Sequence, residues 1–230
     1  MLTAVVGGIA GYGTGLLMPL VLVPIVGPEP VVPIMGIAAL IINAGRVAAF
    51  RQAIDWRRSA IVLVTALPAT LVGAWFYTRL SGKGAQFVIG AVLIASVPLR
   101  RILRGRGFHL GGRGLAVGAA GFGVVSGAAA GTGVILVSLL MAAGVGGAAV
   151  IATDAAISVL VHLVQVTVFG VAGVIDAKVL AVALVIGVCA IPGAFVARAI
   201  VDRISIHVHT VILDAVVLLG GGLMVWGAFR

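Results

Sequence analysis

Residues 147–169 read GAAVIATDAAISVLVHLVQVTVF, a run of 23 residues that holds one aspartate, one histidine and no lysine, arginine or glutamate. At about 1.5 Å per residue a helix of this length crosses the roughly 30 Å of hydrocarbon in a bilayer. Its polar residues Asp154, Ser158, His162 and Gln165 are spaced by four, four and three, so they share one face of a helix whose remaining surface is apolar. A charge in hydrocarbon costs several kcal/mol unless it is paired or hydrated, which makes this face a candidate site rather than a lipid surface.

Further apolar runs lie at 3–26, 31–50, 59–78, 85–99, 114–142, 178–197 and 206–228. The chain is 62% hydrophobic and 9% charged over 230 residues, with a mean hydropathy of +1.31, beyond what one soluble core can bury. The expected fold class is therefore all-α: a polytopic helical membrane protein of seven or eight spans. The net charge of +9 sits mostly in short gaps between apolar runs, the pattern that orients membrane helices. It lacks the aromatic interleaving and motifs of a nucleic-acid binder, so no nucleic-acid partner is expected. No lysine or arginine precedes Arg46, so the first run lacks the charged start of a signal peptide and reads as a retained helix. Cys189, the single cysteine, lies inside an apolar run and reads as inert packing, with no disulfide framework and no metal cluster.

Arg100, Arg101, Arg104, Arg106 and Arg113 form the densest basic stretch, glycine-rich from 105 to 114 and without an acidic residue. It divides the chain into a first transmembrane repeat (1–103), a basic cytoplasmic linker (104–113) and a second repeat (114–230). Counting spans from that linker puts loop 51–58 on the same side and loop 79–84 opposite, with both termini cytoplasmic. The repeats rest on ordered matches. Gly13-Thr14-Gly15 pairs with Gly131-Thr132-Gly133, Ile54-Asp55 with Ile175-Asp176, and Gly73-Ala74-Trp75 with Gly193-Ala194-Phe195, at offsets of 118, 121 and 120. Each half then holds about four hydrophobic segments. Whether the repeats are parallel or inverted depends on the parity of crossings. Glycine breaks a helix, and a break at membrane depth must face protein or a wet cavity, so both Gly-Thr-Gly elements are expected to interrupt their runs near a substrate.

Asn43 and Arg46 are three apart, and an offset of 119 carries them onto His162 and Gln165. Two polar stripes at matching positions predict a site at the repeat interface in which Arg46 and a protonated His162 attract an anion. Asn43, Gln165 and threonine hydroxyls donate hydrogen bonds there, and the backbone N–H groups of Gly13, Thr14, Gly15, Gly131, Thr132 and Gly133 add to them. Asp154 and His162 are the candidates for proton coupling. Each residue has a plainer reading: Arg46 snorkelling to the interface, Asp154 capping a helix after Gly146-Gly147, and His162 with Gln165 gluing helices together. Asp214 fits an ion pair with Arg46, proton uptake or an internal structural pair. No Walker loop, His-Glu-x-x-His or Gly-x-Ser-x-Gly element occurs, so ATP-driven transport and hydrolytic catalysis are not indicated, and neither cofactor nor metal is expected.

These motifs, in this order, resemble the TauE/SafE family of sulfite exporters across almost the whole chain. Gly11-Tyr12-Gly13-Thr14-Gly15 and Ala130-Gly131-Thr132-Gly133 are similar to the family's glycine-rich turns, with threonine in place of a usual glycine. The segment RVAAFRQAIDWR at 46–57 is similar to its basic loop followed by a hydrophobic-Asp-Trp element, and 170–176 is the counterpart, with Gly73-Ala74 and Gly193-Ala194 completing the pattern. Ala152-Thr153-Asp154 matches the family's small-polar element, whereas Gly36-Ile37-Ala38 lacks its hydroxyls. The chain starts late in its first helix relative to the family, so an upstream start is an expectation. The resemblance implies a bacterial-type inner-membrane permease that exports sulfite or a small organosulfonate. A passive anion channel and a non-transporting scaffold are the rival readings. The expected partners are a small anion and the lipid bilayer, with a homo-oligomer left open.

Overall fold

In hydrocarbon each backbone N–H and C=O must find its partner inside the chain, and uninterrupted apolar sequence does so as helix. The computed structural model describes residues 13–105, 109–201 and 206–230, with side chains left aside at 13–14, 100, 103–105, 191–201 and 206–213. These residues form nine α-helices and, among them, no strand: α1 Gly13–Val26, α2 Val31–Phe50, α3 Trp56–Tyr77, α4 Gly82–Gly105, α5 Gly112–Ala128, α6 Gly133–Ala142, α7 Ala148–Val171, α8 Ala177–Val201 and α9 Ile206–Ala228. Four stretches are long and apolar enough to cross a membrane: 31–53, 56–77, 82–99 and 148–171. Val64, Val117, Leu219 and Leu223 are each more than 70% exposed, a surface suited to lipid rather than water. Cys189 belongs to that surface: it is exposed and does not pack inside the bundle.

The run 114–142 breaks where the sequence predicted, but into a reversal rather than a kink. Helix α5 stops at Ala128, the chain passes through extended Ala129 (φ −148°, ψ 161°) and through Gly131 at φ +86°, and α6 returns. Gly118 lies against Leu139, and the Leu110 N–H donates to the Ala142 carbonyl at 2.7 Å. The two helices are thus a hairpin that enters and leaves at one end of the bundle. That end also holds loop 51–55, whose Asp55 N–H donates to Thr153 Oγ1 at 3.0 Å, and the Arg101–Asp214 ion pair at 3.0 Å. Asp214 therefore pairs with Arg101 on α4.

The opposite end gathers the other turns. Tyr77 Oη donates to the Pro28 and Glu29 carbonyls at 2.9 and 3.1 Å, and Phe87 meets Phe229 at 5.8 Å. The C-terminal residues consequently lie with loop 78–81, not with the basic loops as the span count predicted, because the 114–142 hairpin reverses direction. Trp56 and Trp75, both exposed, stand near the two ends of α3, about 28 Å apart along the helix axis. That matches the spacing of the two polar faces of a bilayer, where tryptophan concentrates. Arg79 over Trp75 at 5.1 Å and Arg230 over Trp226 at 5.5 Å reinforce one of these belts.

Capping fixes where the long helices begin. Asp55 accepts from the Arg58 N–H at 3.0 Å at the start of α3, and Asp176 accepts from the Val179 N–H at 2.7 Å at the start of α8. The Arg58 N–H, with its guanidinium, holds the Asp55 carboxyl below the usual carboxylate range.

Helices α3 and α5 approach closely through small residues. A Cβ at Gly127 would fall on the Thr70 carbonyl, one at Gly123 on that of Ala66, and one at Gly73 on that of Val124, whereas Gly121 faces open space. With no hydrophobic drive between helices in lipid, such contact is what holds them. Overpacking of this kind costs about 1–3 kcal/mol, which for a chain of this length is roughly 2–10 °C. Gly127→Ala is expected to lower melting in detergent by that margin, and Gly121→Ala to leave it unchanged.

Candidate functional site

Helices α2 and α7 pack against each other and bring the two polar stripes face to face. Asp154, Ser158 and Gln165 are buried on α7 and Asn43 is buried on α2. Together with Arg46 and His162 they line one cavity of about 130 Å³. Its floor is built from glycine-rich backbone. Gly15, in the first turn of α1, and Gly131, Thr132 and Gly133, between α5 and α6, line the same space. A Cβ on Gly131 would come within 2.8 Å of the Gly15 carbonyl oxygen, so the two Gly-Thr-Gly elements touch backbone to backbone. Gly13 and Thr14 open α1, but their side chains lie outside the described set.

Gln165 has a more definite task than its position in the sequence suggests. Helix α5 ends at Ala128, leaving its last carbonyls without helical partners. The Gln165 Nε2 donates to two of them, Ser126 O at 2.8 Å and Gly127 O at 3.2 Å. With the amide nitrogen held there, Oε1 faces His162 Nδ1 at 3.1 Å. An oxygen acceptor at that distance requires the proton on Nδ1, which leaves Nε2 as the uncommitted ring nitrogen. Nearby, Thr132 Oγ1 donates to Ser126 Oγ at 3.0 Å. The Asn43 amide nitrogen donates back to the Ala39 carbonyl at 2.9 Å.

Arg46 faces Asp154 across the cavity at 3.9 Å, with side chains 35% and 8% exposed. It lies near the end of α2 that carries the basic loops. One turn beyond Gln165 in the other direction, Phe169 meets Tyr77 edge to face at 5.7 Å. Both are buried, as is Val31 at the start of α2, so apolar packing fills the bundle on that side of the cavity.

Gly36, Ser126, Phe122 and Ser158 also line the space. Gly36 carried a signal, since it precedes Asn43 by seven residues on the same helical face. Its missing side chain admits Gln165, whose Oε1 would lie 2.7 Å from a Cβ there. Ser126 gave none, because its place depends on the α5–α6 reversal. Among the described residues no group of three or more acidic, histidine or cysteine side chains is arranged to hold a metal ion.

Neither a curated protein nor a solved structure matches the chain. The family model described as Sulfite exporter TauE/SafE matches residues 1–224, nearly all of a chain already marked by apolar helices as an integral membrane protein, and the chain thus belongs to the TauE/SafE sulfite exporter family.

Proposed function

We propose that the protein is a secondary permease that exports a small anion, such as sulfite or an organosulfonate, across a bacterial-type inner membrane. The observation that carries this reading is the shared cavity, in which the Gly15 backbone meets the α5–α6 break at Gly131 beside Arg46. Broken helices at a repeat interface are where secondary transporters hold substrate. The TauE/SafE family is a transporter family, which supports transport rather than catalysis.

The duplication is supported by reciprocal packing. Helices α2 and α7 contact each other, as do α4 and α9, while α3 with α7 mirrors α8 with α2, and α4 with α6 mirrors α9 with α1. The aspartates at offset 121 cap corresponding helices. The second half is a hairpin followed by three long helices, an odd number of segments, and on that pattern we read the repeats as inverted. The end bearing Arg51, Arg57, Arg58, Arg101 and Arg113 is read as cytoplasmic, and the cavity as accessible from it. Closure of the far side by Tyr77 and Phe169 favours alternating access over an open pore, with Asp154 and His162 as the proton-coupling groups.

Uptake of radiolabelled sulfite into inside-out vesicles tests the proposal. Saturable uptake that is accelerated by a proton gradient and reduced in His162→Ala at matched abundance is the expected outcome. Ohmic anion current in planar bilayers without saturation would replace the carrier with a channel, and absence of flux for sulfite, sulfonates and sulfate alike would sink both.

A further inference from the structure

The donors and acceptors of the cavity are unevenly committed, and the imbalance bears on what it holds. Asn43 donates through Nδ2 to the Ala39 carbonyl, which settles the orientation of its amide: the atom left over is the oxygen. Asn43 Oδ1 is buried, and no donor of the described residues reaches it. Asp154 turns Oδ2 toward Arg46, while its Oδ1 is likewise buried and without a donor. Only three buried side-chain atoms among the described residues are in this condition. The third, Thr70 Oγ1, is on α3, outside the cavity.

Several side-chain donors that sequence spacing assigned to an anion are meanwhile in use. The Gln165 amide holds the end of α5, Thr132 donates to Ser126, and His162 Nδ1 serves Gln165. Positive charge comes from Arg46, but the two buried side-chain atoms left without a partner beside it are both acceptors. An unmet buried acceptor costs about 1–3 kcal/mol, so a cavity keeps two of them where its occupant brings hydrogens. A dianion brings none and sets two negative charges beside a carboxylate.

We infer that the transported substrate carries a single anionic group together with a hydrogen-bond donor, such as an ammonium, a hydroxyl or the O–H of a protonated oxyanion, and that Asn43 Oδ1 and Asp154 Oδ1 are the specificity-determining atoms that read this donor. The inference rests on the anion-permease reading and narrows its substrate class. Sites built around a substrate O–H or N–H discriminate against analogues that lack it far more strongly than apolar pockets discriminate by size.

Three matched probes test it on the purified full chain in nanodiscs near pH 7, by calorimetric titration: ethanesulfonate, 2-hydroxyethanesulfonate and 2-aminoethanesulfonate, with sulfite as a fourth ligand. The two donor-bearing sulfonates are expected to bind at least about tenfold more tightly than ethanesulfonate. Asn43→Leu, checked for unchanged melting, should shrink that ratio to about threefold or less, and Asn43→Asp, which keeps the acceptor, should preserve it. Equal binding of the three by the wild type, or a ratio untouched by Asn43→Leu, overturns the inference while leaving an anion site standing. No heat with any of the four ligands overturns both.

Discussion

Arg46→Ala is expected to cut saturable anion uptake sharply, and the reason lies in what faces it. The guanidinium stands 3.9 Å from the Asp154 carboxylate, at the side of the cavity nearer the basic loops. Contacts to a charged group are worth about 1.5–3 kcal/mol, so uptake should fall by roughly 10- to 150-fold. Truncation has a second consequence, because Asp154 is buried and loses its counter-charge. An uncompensated buried charge costs about 3–5 kcal/mol, with the lower figure fitting a pair whose arginine is a third exposed. Arg46→Ala alone should therefore also lower the amount of folded protein in the membrane. Arg46→Ala/Asp154→Asn separates the two effects: abundance returns while uptake does not. If Arg46 merely snorkelled to the interface, transport per folded molecule in the single variant would match wild type.

The stripe on α7 was legible because a polar residue every three or four positions stands out against an otherwise apolar helix, and the same logic marked Asn43 and Arg46 on α2. The packing of α2 against α7 brings these residues to one cavity. The reversal between α5 and α6 was not legible. Both helices are apolar on all sides, and hydropathy does not separate a kinked crossing from a hairpin of the same composition; the difference lies in Gly131's positive φ and in the Leu110–Ala142 hydrogen bond. That one misreading moved the C-terminal end to the wrong side of the bundle. Hydrogen-bond commitment was equally hidden. Spacing put the amides of Asn43 and Gln165 at the site, but the local carbonyls that occupy their nitrogens, Ala39 O for one and Ser126 O and Gly127 O for the other, appear only once the helix ends are in place. Cys189 sits in an apolar run whether it packs inside or faces lipid, so the sequence held no signal for its exposure.

The two outer positions of Gly131-Thr132-Gly133 should respond very differently to a single methyl group. Gly131 has φ +86°, where an L residue with a Cβ costs about 1–2 kcal/mol. Its added Cβ would also sit 2.8 Å from the Gly15 carbonyl oxygen and 3.1 Å from Leu16 Cδ2. The first of these neighbours is backbone of α1, and it yields only if α1 shifts. Gly131→Ala is thus expected to push apart the Gly15 and Gly131 backbones that floor the cavity, lowering melting in detergent and reducing uptake at matched abundance by at least about tenfold, since displacing a positioned group by 1 Å can cost 100-fold in a preorganised site. Gly133 opens α6 with no positive φ, and nothing lies within 4 Å of its Cβ position. Gly133→Ala should melt at or slightly above wild type, because alanine favours helix over glycine by about 1 kcal/mol, and should transport normally. A converse pattern, with Gly133→Ala inactive and Gly131→Ala tolerated, would mean that the motif serves the substrate through an open backbone N–H at Gly133 rather than through the backbone contact between Gly15 and Gly131.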